Sequence, residues 1–210
     1  MIFLKKTYLL NGNLYEKKIK VVFSFCLTIL VIIYSSTYIN TFPVNEGWGI
    51  MYVEQIFQGK FPYRDFYYYL PPLNLLIDAL FWKISFGYLI IYRIFWLLQR
   101  VLIVLLVFNK LCDYFRITTS FIACILSVFL ATASTYDLLG DYNQTAALLA
   151  VVMAYFTTNF VEQNDEGAKL RNLGYAGGIL GLMFLTKQTI FLASTIVHFI
   201  TLATLCWKEK

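Results

Sequence analysis

The sequence predicts an all-α polytopic membrane protein of about six transmembrane helices, whose long first external loop carries two interfacial amphipathic helices. Three observations predict it. Of the 210 residues, 60% are hydrophobic and 19% aromatic against 14% charged, with a mean hydropathy of +0.67, far from the soluble average. Several apolar runs approach or exceed the roughly 20 residues that cross a hydrocarbon core of about 30 Å. The basic residues gather at the ends of those runs. On the topology below, eleven of the 17 Lys and Arg fall on one side, four on the other and two within a span, the bias that marks a cytoplasmic face. The net charge of +5 then belongs to topology, and no nucleic-acid partner is implied.

The first span, 21–39, follows Lys5, Lys6, Lys17, Lys18 and Lys20. It reads as an uncleaved anchor with the N-terminus in the cytoplasm, which makes the loop 40–87 external. Within that loop, helical spacing over 46–58 gathers Glu54, Gln55 and Gln58 on one side, opposite Trp48, Ile50, Tyr52, Val53, Ile56 and Phe57. Over 73–86, Asn74, Asp78 and Ser85 form a narrow polar stripe among Leu, Ile, Phe and Trp82. Such a helix reaches only about 21 Å, so it is expected to lie in the interface. Pro71 and Pro72 suit its start.

The second span, 88–108, carries Arg93 and Arg100 and ends at Lys110 and Arg116. Arg93 is expected to snorkel to the outer interface and Arg100 to pair inside the bundle. The third span, 117–136, leads to an outside turn from Asp137 to Asp141, and the fourth, 143–160, returns to a loop with Asp165, Glu166, Lys169 and Arg171. From 173 to 206 the chain is apolar apart from Thr186-Lys187-Gln188-Thr189 and His198. One helix there would be roughly 51 Å long, too long for a single crossing. It is read as two spans, 173–186 and 189–206, that meet at Lys187 outside. Both termini are then cytoplasmic, and 1–210 forms a single transmembrane domain. Cys26, Cys112, Cys124 and Cys206 lack metal-ligand spacing and read as small buried hydrophobes. His198 reads as a satisfied core histidine.

On this topology Glu46, Arg64, Asp65, Asp141 and Lys187 share the outer surface, and ionisable groups at the rim of a membrane call for a functional explanation. A carboxylate there can deprotonate an acceptor hydroxyl, a Lys or Arg can stabilise a departing phosphate, and a second carboxylate can orient the acceptor or hold a divalent cation. Together they suit transfer from a lipid-linked phosphate. Each group also has a plainer reading. Glu46 caps a helix start, Arg64 and Asp65 pair to fix a turn, and Asp141 is a solvated turn residue. Lys187 needs a partner, which an anionic headgroup supplies. Tyr67, Tyr68, Tyr69 and Trp82 suit an aromatic belt or stacking on a sugar.

The string NEGWGIMYVEQIFQGKFPYRDFYYYLPPLNLLIDALF resembles the first external loop of GT-C membrane glycosyltransferases, in particular the bacterial relatives of protein O-mannosyltransferases and lipid A aminoarabinose transferase. The shared pattern is an acidic pair, a short helix, G-x-x-P-Y-x-D-F, and P-P-L opening another helix. Downstream, GDYNQTAALLAVVMAYF and GGILGLMFLTKQT resemble the second acidic turn and the T-K motif of that family. The resemblance covers most of the chain and implies a polyprenyl-phosphate sugar donor. It also implies an external active site and inverting transfer without a nucleotide, sometimes helped by a divalent metal. By position it makes Glu46 and Asp141 catalytic, either being the candidate metal ligand. It makes Lys187, with Gln188, Arg64 and Asp65, substrate-binding. Asn45 stands where the family carries its catalytic aspartate; an amide is no general base, so the role would pass to Glu46. Relatives continue through further spans, so the chain is expected to match an N-terminal half, with a C-terminal half or partner subunit as its complement. The expected setting is a bacterial plasma membrane. The alternative is an inactive GT-C-like subunit that binds lipid-linked sugar or scaffolds an assembly complex.

Overall fold

The computed structural model describes residues 14–36, 44–132 and 142–208. They form eight α-helices: α1 Leu14–Ser36, α2 Val44–Phe57, α3 Pro72–Ile84, α4 Leu89–Leu111, α5 Ile117–Thr132, α6 Tyr142–Glu162, α7 Glu166–Phe184 and α8 Gln188–Lys208. Among the described residues the only β-pairing is an isolated bridge between Pro62 and Phe66. By length and composition Tyr15–Ser36, Leu89–Leu111 and Tyr142–Glu162 can cross a membrane, and Ile117–Val128 and Gln188–Thr204 are shorter apolar helices. The regular structure of the described residues is all helical, and three of the helices mark a membrane-embedded protein.

Local chemistry sets the helix ends. Gly59, at φ +80°, closes α2. Its N–H bonds to Ile56 O at 2.9 Å and the Lys60 N–H to Gln55 O at 3.1 Å, the paired bonds of a Schellman cap. The same pair closes α3, from Phe86 to Lys83 O and from Gly87 to Trp82 O, but here Phe86 takes the left-handed position at φ 51°. Pro72 begins α3, where a residue without an N–H costs no hydrogen bond. The apolar stretch after 173 breaks at Leu185, Thr186 and Lys187. The helix before that break starts at Glu166 rather than at 173, because Asp165 caps it by accepting from Ala168 N–H at 2.7 Å. α7 therefore carries Glu166, Lys169 and Arg171 in its first two turns.

α4 is the central element, packed on α1, α5 and α6, while α7 pairs with α6 and α8, and α2 lies on α3. Leu27, Phe108, Cys112 and Cys124 join α1, α4 and α5, with Phe23 and Phe121 stacked at 4.3 Å. Met153, Ala176 and Met183 join α6 to α7. Cys26, by contrast, is exposed on α1, as are Val21, Phe25, Ile29, Ile33, Ile94, Leu98, Val197 and Phe199 on other turns and helices. Apolar surface on this scale is what hydrocarbon, not water, accommodates.

The polar stripe of α3 faces inward. An interfacial helix turns its polar side to water, yet Asn74, Asp78 and Ser85 are buried, and Leu76, Leu80 and Ile84 face outward. Asn74 and Asp78 turn inward because partners lie there, Thr145 on α6 and Tyr92 on α4, while Ser85 donates to Trp82 O of α3 itself.

Two contacts define the ends of the bundle. Leu73 N–H bonds to Leu185 O at 2.9 Å, tying the first turn of α3 to the α7–α8 turn beside Lys187. About 30 Å away along α6, Lys110 of α4 meets Asn159 and Glu162.

Candidate functional site

At the Lys187 end, two carboxylates enter the bundle from the α2–α3 unit. Glu46, in the first turn of α2, accepts from Arg93 of α4 through both oxygens, Nε to Oε1 at 2.8 Å and Nη2 to Oε2 at 2.6 Å. The side chains are 3% and 7% exposed. This planar fork is the strongest carboxylate geometry available. Arg93 thus does not snorkel, because a guanidinium with a carboxylate partner inside has no need to reach the surface.

One turn further along α2, Gly49 faces Asp78: a Cβ there would sit 3.7 Å from Asp78 Oδ2, an ordinary contact. Asp78 accepts from the Tyr92 hydroxyl at 2.5 Å and from Asn74 Nδ2 at 2.8 Å. From this carboxylate a file of donors runs back into the bundle. Asn74 Oδ1 accepts from Thr145 Oγ1 at 2.9 Å, Thr145 Oγ1 from Gln99 Nε2 at 3.4 Å, and Gln99 Oε1 from Gln144 Nε2 at 3.0 Å. Gln144 Oε1 in turn accepts from Arg100 Nη2 at 3.3 Å, and the same guanidinium reaches Ser35 Oγ at 3.5 Å. Every link donates toward Asp78, so aligned dipoles join the half-buried Arg100 cation to a buried anion, each bond polarising the next. Arg100 does pair inside the bundle, as its mid-span position implied. Gln144 Nε2 also donates to Trp96 O at 2.7 Å, whereas the buried indole Nε1 of Trp96 has no acceptor among the described residues.

Lys187 sits at the rim of this cluster. Its ammonium donates to Asn143 Oδ1 and lies 5.0 Å from the centre of the Tyr142 ring, next along α6 to Gln144 and Thr145. Gln188 opens α8 and is exposed. Asp141 lies outside the described residues. A narrow cleft of about 70 Å³ between α1 and α4 reaches Arg93 past Ile32, Ser35, Ser36, Ile90 and Ile94.

Arg64 and Asp65 are spent locally. Asp65 accepts from Arg64 Nε at 2.9 Å, from Arg64 Nη2 at 2.7 Å and from Phe61 N–H at 2.7 Å, while the guanidinium covers the Phe61 ring at 4.5 Å. The Arg64 hydrogen bond, then the Phe61 N–H, hold the Asp65 carboxyl down at about 2. Nearby, Tyr63 donates to Leu70 O at 2.5 Å, and burial raises the Tyr63 and Tyr68 hydroxyls above the usual phenol range. Trp82 serves this unit too, donating Nε1–H to Glu54 Oε1 at 2.7 Å. His198 is a core histidine bonded to Thr157 at 3.0 Å.

Of the two candidate metal ligands, Asp141 lies outside the described residues. Among the described residues no three His, Cys, Asp or Glu side chains cluster, and the Glu46 oxygens already hold a guanidinium. Of the sequence-level candidates, Glu46 and Lys187 share one end of the bundle. Arg93, Asp78, Tyr92, Asn74, Gln144 and Thr145 join them there, although none was a candidate. The i, i+4 spacing of Asn74 and Asp78 in an apolar helix was the available signal.

No family model matches the chain, and no curated protein or solved structure matches it.

Proposed function

We propose that the chain is a membrane module for glycosyl transfer of the GT-C kind, taking a sugar from a polyprenyl phosphate to an acceptor at the outer face of a bacterial plasma membrane. In this reading it has six spans, both termini are cytoplasmic, and the Lys187 end is external. The observation that carries the proposal is the Leu73–Leu185 bond. It keeps the cation of Lys187 at the same end as two buried carboxylates and a buried arginine, the charge types that a leaving phosphate and an attacking hydroxyl require.

The chemistry follows from the pairing of Glu46 with Arg93. A phosphate competes with a carboxylate for a guanidinium fork. As the donor phosphate engages Arg93 and Lys187, Glu46 is released to take the proton of the acceptor hydroxyl. The acceptor oxygen bonds to the anomeric carbon, the bond from that carbon to the phosphate oxygen breaks, and polyprenyl phosphate leaves with the electron pair. The cleft between α1 and α4 gives a lipid-side approach to Arg93. Asp141 is assigned the orienting role.

A second reading, binding of lipid-linked sugar without transfer, is favoured by two features: Glu46 and Asp78 are both engaged by partners, and Asn45 precedes Glu46. Purified protein with a radiolabelled polyprenyl-phosphate sugar separates the two. Transfer by the parent chain, with donor binding weakened in Lys187→Gln, supports the enzyme. Donor binding without transfer supports the binding module, and no donor binding sinks both.

A further inference from the structure

The end of the bundle away from Lys187 holds a second polar site. Where α6 finishes and α7 begins, Asn159, Glu162, Gln163, Arg171 and Asn172 line a cavity of about 310 Å³. Its wall carries one carboxylate, and both oxygens of that group are in use. Glu162 Oε1 accepts from the Tyr114 hydroxyl at 2.5 Å and Oε2 from Lys110 Nζ at 3.3 Å. Lys110 also donates to Asn159 Oδ1 at 3.1 Å, which commits that oxygen and leaves the amide NH₂ as a donor. Of the two acids where α7 begins, Asp165 is held by the Ala168 N–H, and Glu166 is exposed in the first turn and does not line the cavity.

Arg171 is different. It is exposed on the cavity wall and makes no hydrogen bond or ion pair with the described residues. A guanidinium and three carboxamides therefore surround a space whose one carboxylate is already engaged by Lys110, an ammonium that Asp113 shares at 3.6 Å, and Arg171 is the cation on its wall. The cavity also lies at the last turn of the apolar helix Tyr142–Glu162, with Val161 and Leu170 exposed beside it. Headgroups meet acyl chains at such a level, and basic pockets between membrane helices take anionic headgroups.

We propose that this cavity binds a phosphate group on the Arg171 guanidinium, presented by an anionic lipid headgroup or as free phosphate. The site is independent of glycosyl transfer and stands at the opposite end of α6 from Lys187.

The test uses the full chain in a nonionic detergent, titrated separately with short-chain phosphatidylglycerol, phosphatidylcholine and inorganic phosphate, with bound ligand counted by native mass spectrometry. Losing a charge-assisted hydrogen bond weakens binding about tenfold, and that loss is expected in Arg171→Gln. Because Arg171 has no partner among the described residues, helix content by circular dichroism should be unchanged. Asn172→Leu, from the neighbouring position, should weaken binding in the same direction. Saturable phosphatidylglycerol binding that both variants weaken supports the site with a lipid as its source. The same behaviour with inorganic phosphate alone supports it with free phosphate. Equal binding by parent and variants, or no saturable binding of either anionic probe, overturns it.

Discussion

Glu46–Arg93 and Asp65–Arg64 are the same chemical object in two environments. Each is a two-pronged guanidinium–carboxylate pair, with hydrogen bonds of 2.8 and 2.6 Å in the first and 2.9 and 2.7 Å in the second. The first joins residues 47 apart in sequence and is buried; the second joins neighbours, and the Arg64 side chain is 67% exposed. What differs is the alternative available to each group. Water replaces the partner of Arg64 at little cost, whereas Arg93 and Glu46 are buried where water does not readily take a partner's place. Geometry alone does not separate a residue that fixes a turn from one on which the fold depends.

Breaking the buried pair should therefore have the largest effect. Arg93→Gln leaves the Glu46 carboxylate buried without its counter-charge, and an expected loss of about 3–5 kcal/mol should appear in unfolding titrations in mixed micelles. The double variant Glu46→Leu with Arg93→Met should recover most of that stability, because an apolar pair of similar size needs no compensation. Recovery of function is not expected.

Asp78 tests whether the donor file belongs with the buried pair. Asp78→Leu leaves Tyr92 and Asn74 without their acceptor, a loss of about 1–3 kcal/mol by the same measurement. Thr145→Val interrupts the file one link earlier and should cost only about 0.6 kcal/mol, the average for a hydrogen bond between membrane helices. A Thr145→Val loss as large as that of Asp78→Leu would mean that the file acts as one unit.

Asp165 stands between the extremes, an exposed carboxylate with a backbone partner. Asp165→Ala removes the cap of α7 and should cost about 1 kcal/mol, seen as fraying of the first turn in amide exchange. The exposed pair should respond least. Arg64→Gln is expected to leave global unfolding unchanged and to loosen only the turn at 61–66. Its pH dependence has a definite sign. The Asp65 carboxyl sits at about 2 in the fold against an ordinary 3.8, so its contribution is complete above about 4 and fades as pH falls through about 2. Carbon-detected titration of Asp65 should place the midpoint near 2 in the parent chain and higher in Arg64→Gln.

The sequence made the exposed pair easy to find and hid the buried one. Arg64 and Asp65 are adjacent, so their contact is local. Glu46 and Arg93 meet only because α2, packed on α3, brings its first turn to α4, which no periodicity encodes. The helices themselves were largely legible: apolar runs, Pro71-Pro72 and Gly59 mark their limits, and the break at Lys187 follows from the length of the apolar stretch. α3 was legible in pattern but not in direction. Its polar stripe does not say which way it faces, and in a membrane solvent the satisfied place for Asn74 and Asp78 is inside. Asp141, assigned a role by resemblance, lies outside the described residues, so its place in the site rests on the sequence.

The central claim is that Arg93 holds Glu46 in the resting protein and takes the donor phosphate in its place. Exchanging the pair, Glu46→Arg with Arg93→Glu, keeps the charges complementary and moves the guanidinium from α4 to α2. Binding of a radiolabelled polyprenyl-phosphate sugar to the folded exchange variant is the most direct measurement. The account predicts a fold with parent helix content and donor binding reduced about tenfold or more. Donor binding equal to that of the parent would show that the pair serves the fold alone and would contradict the claim.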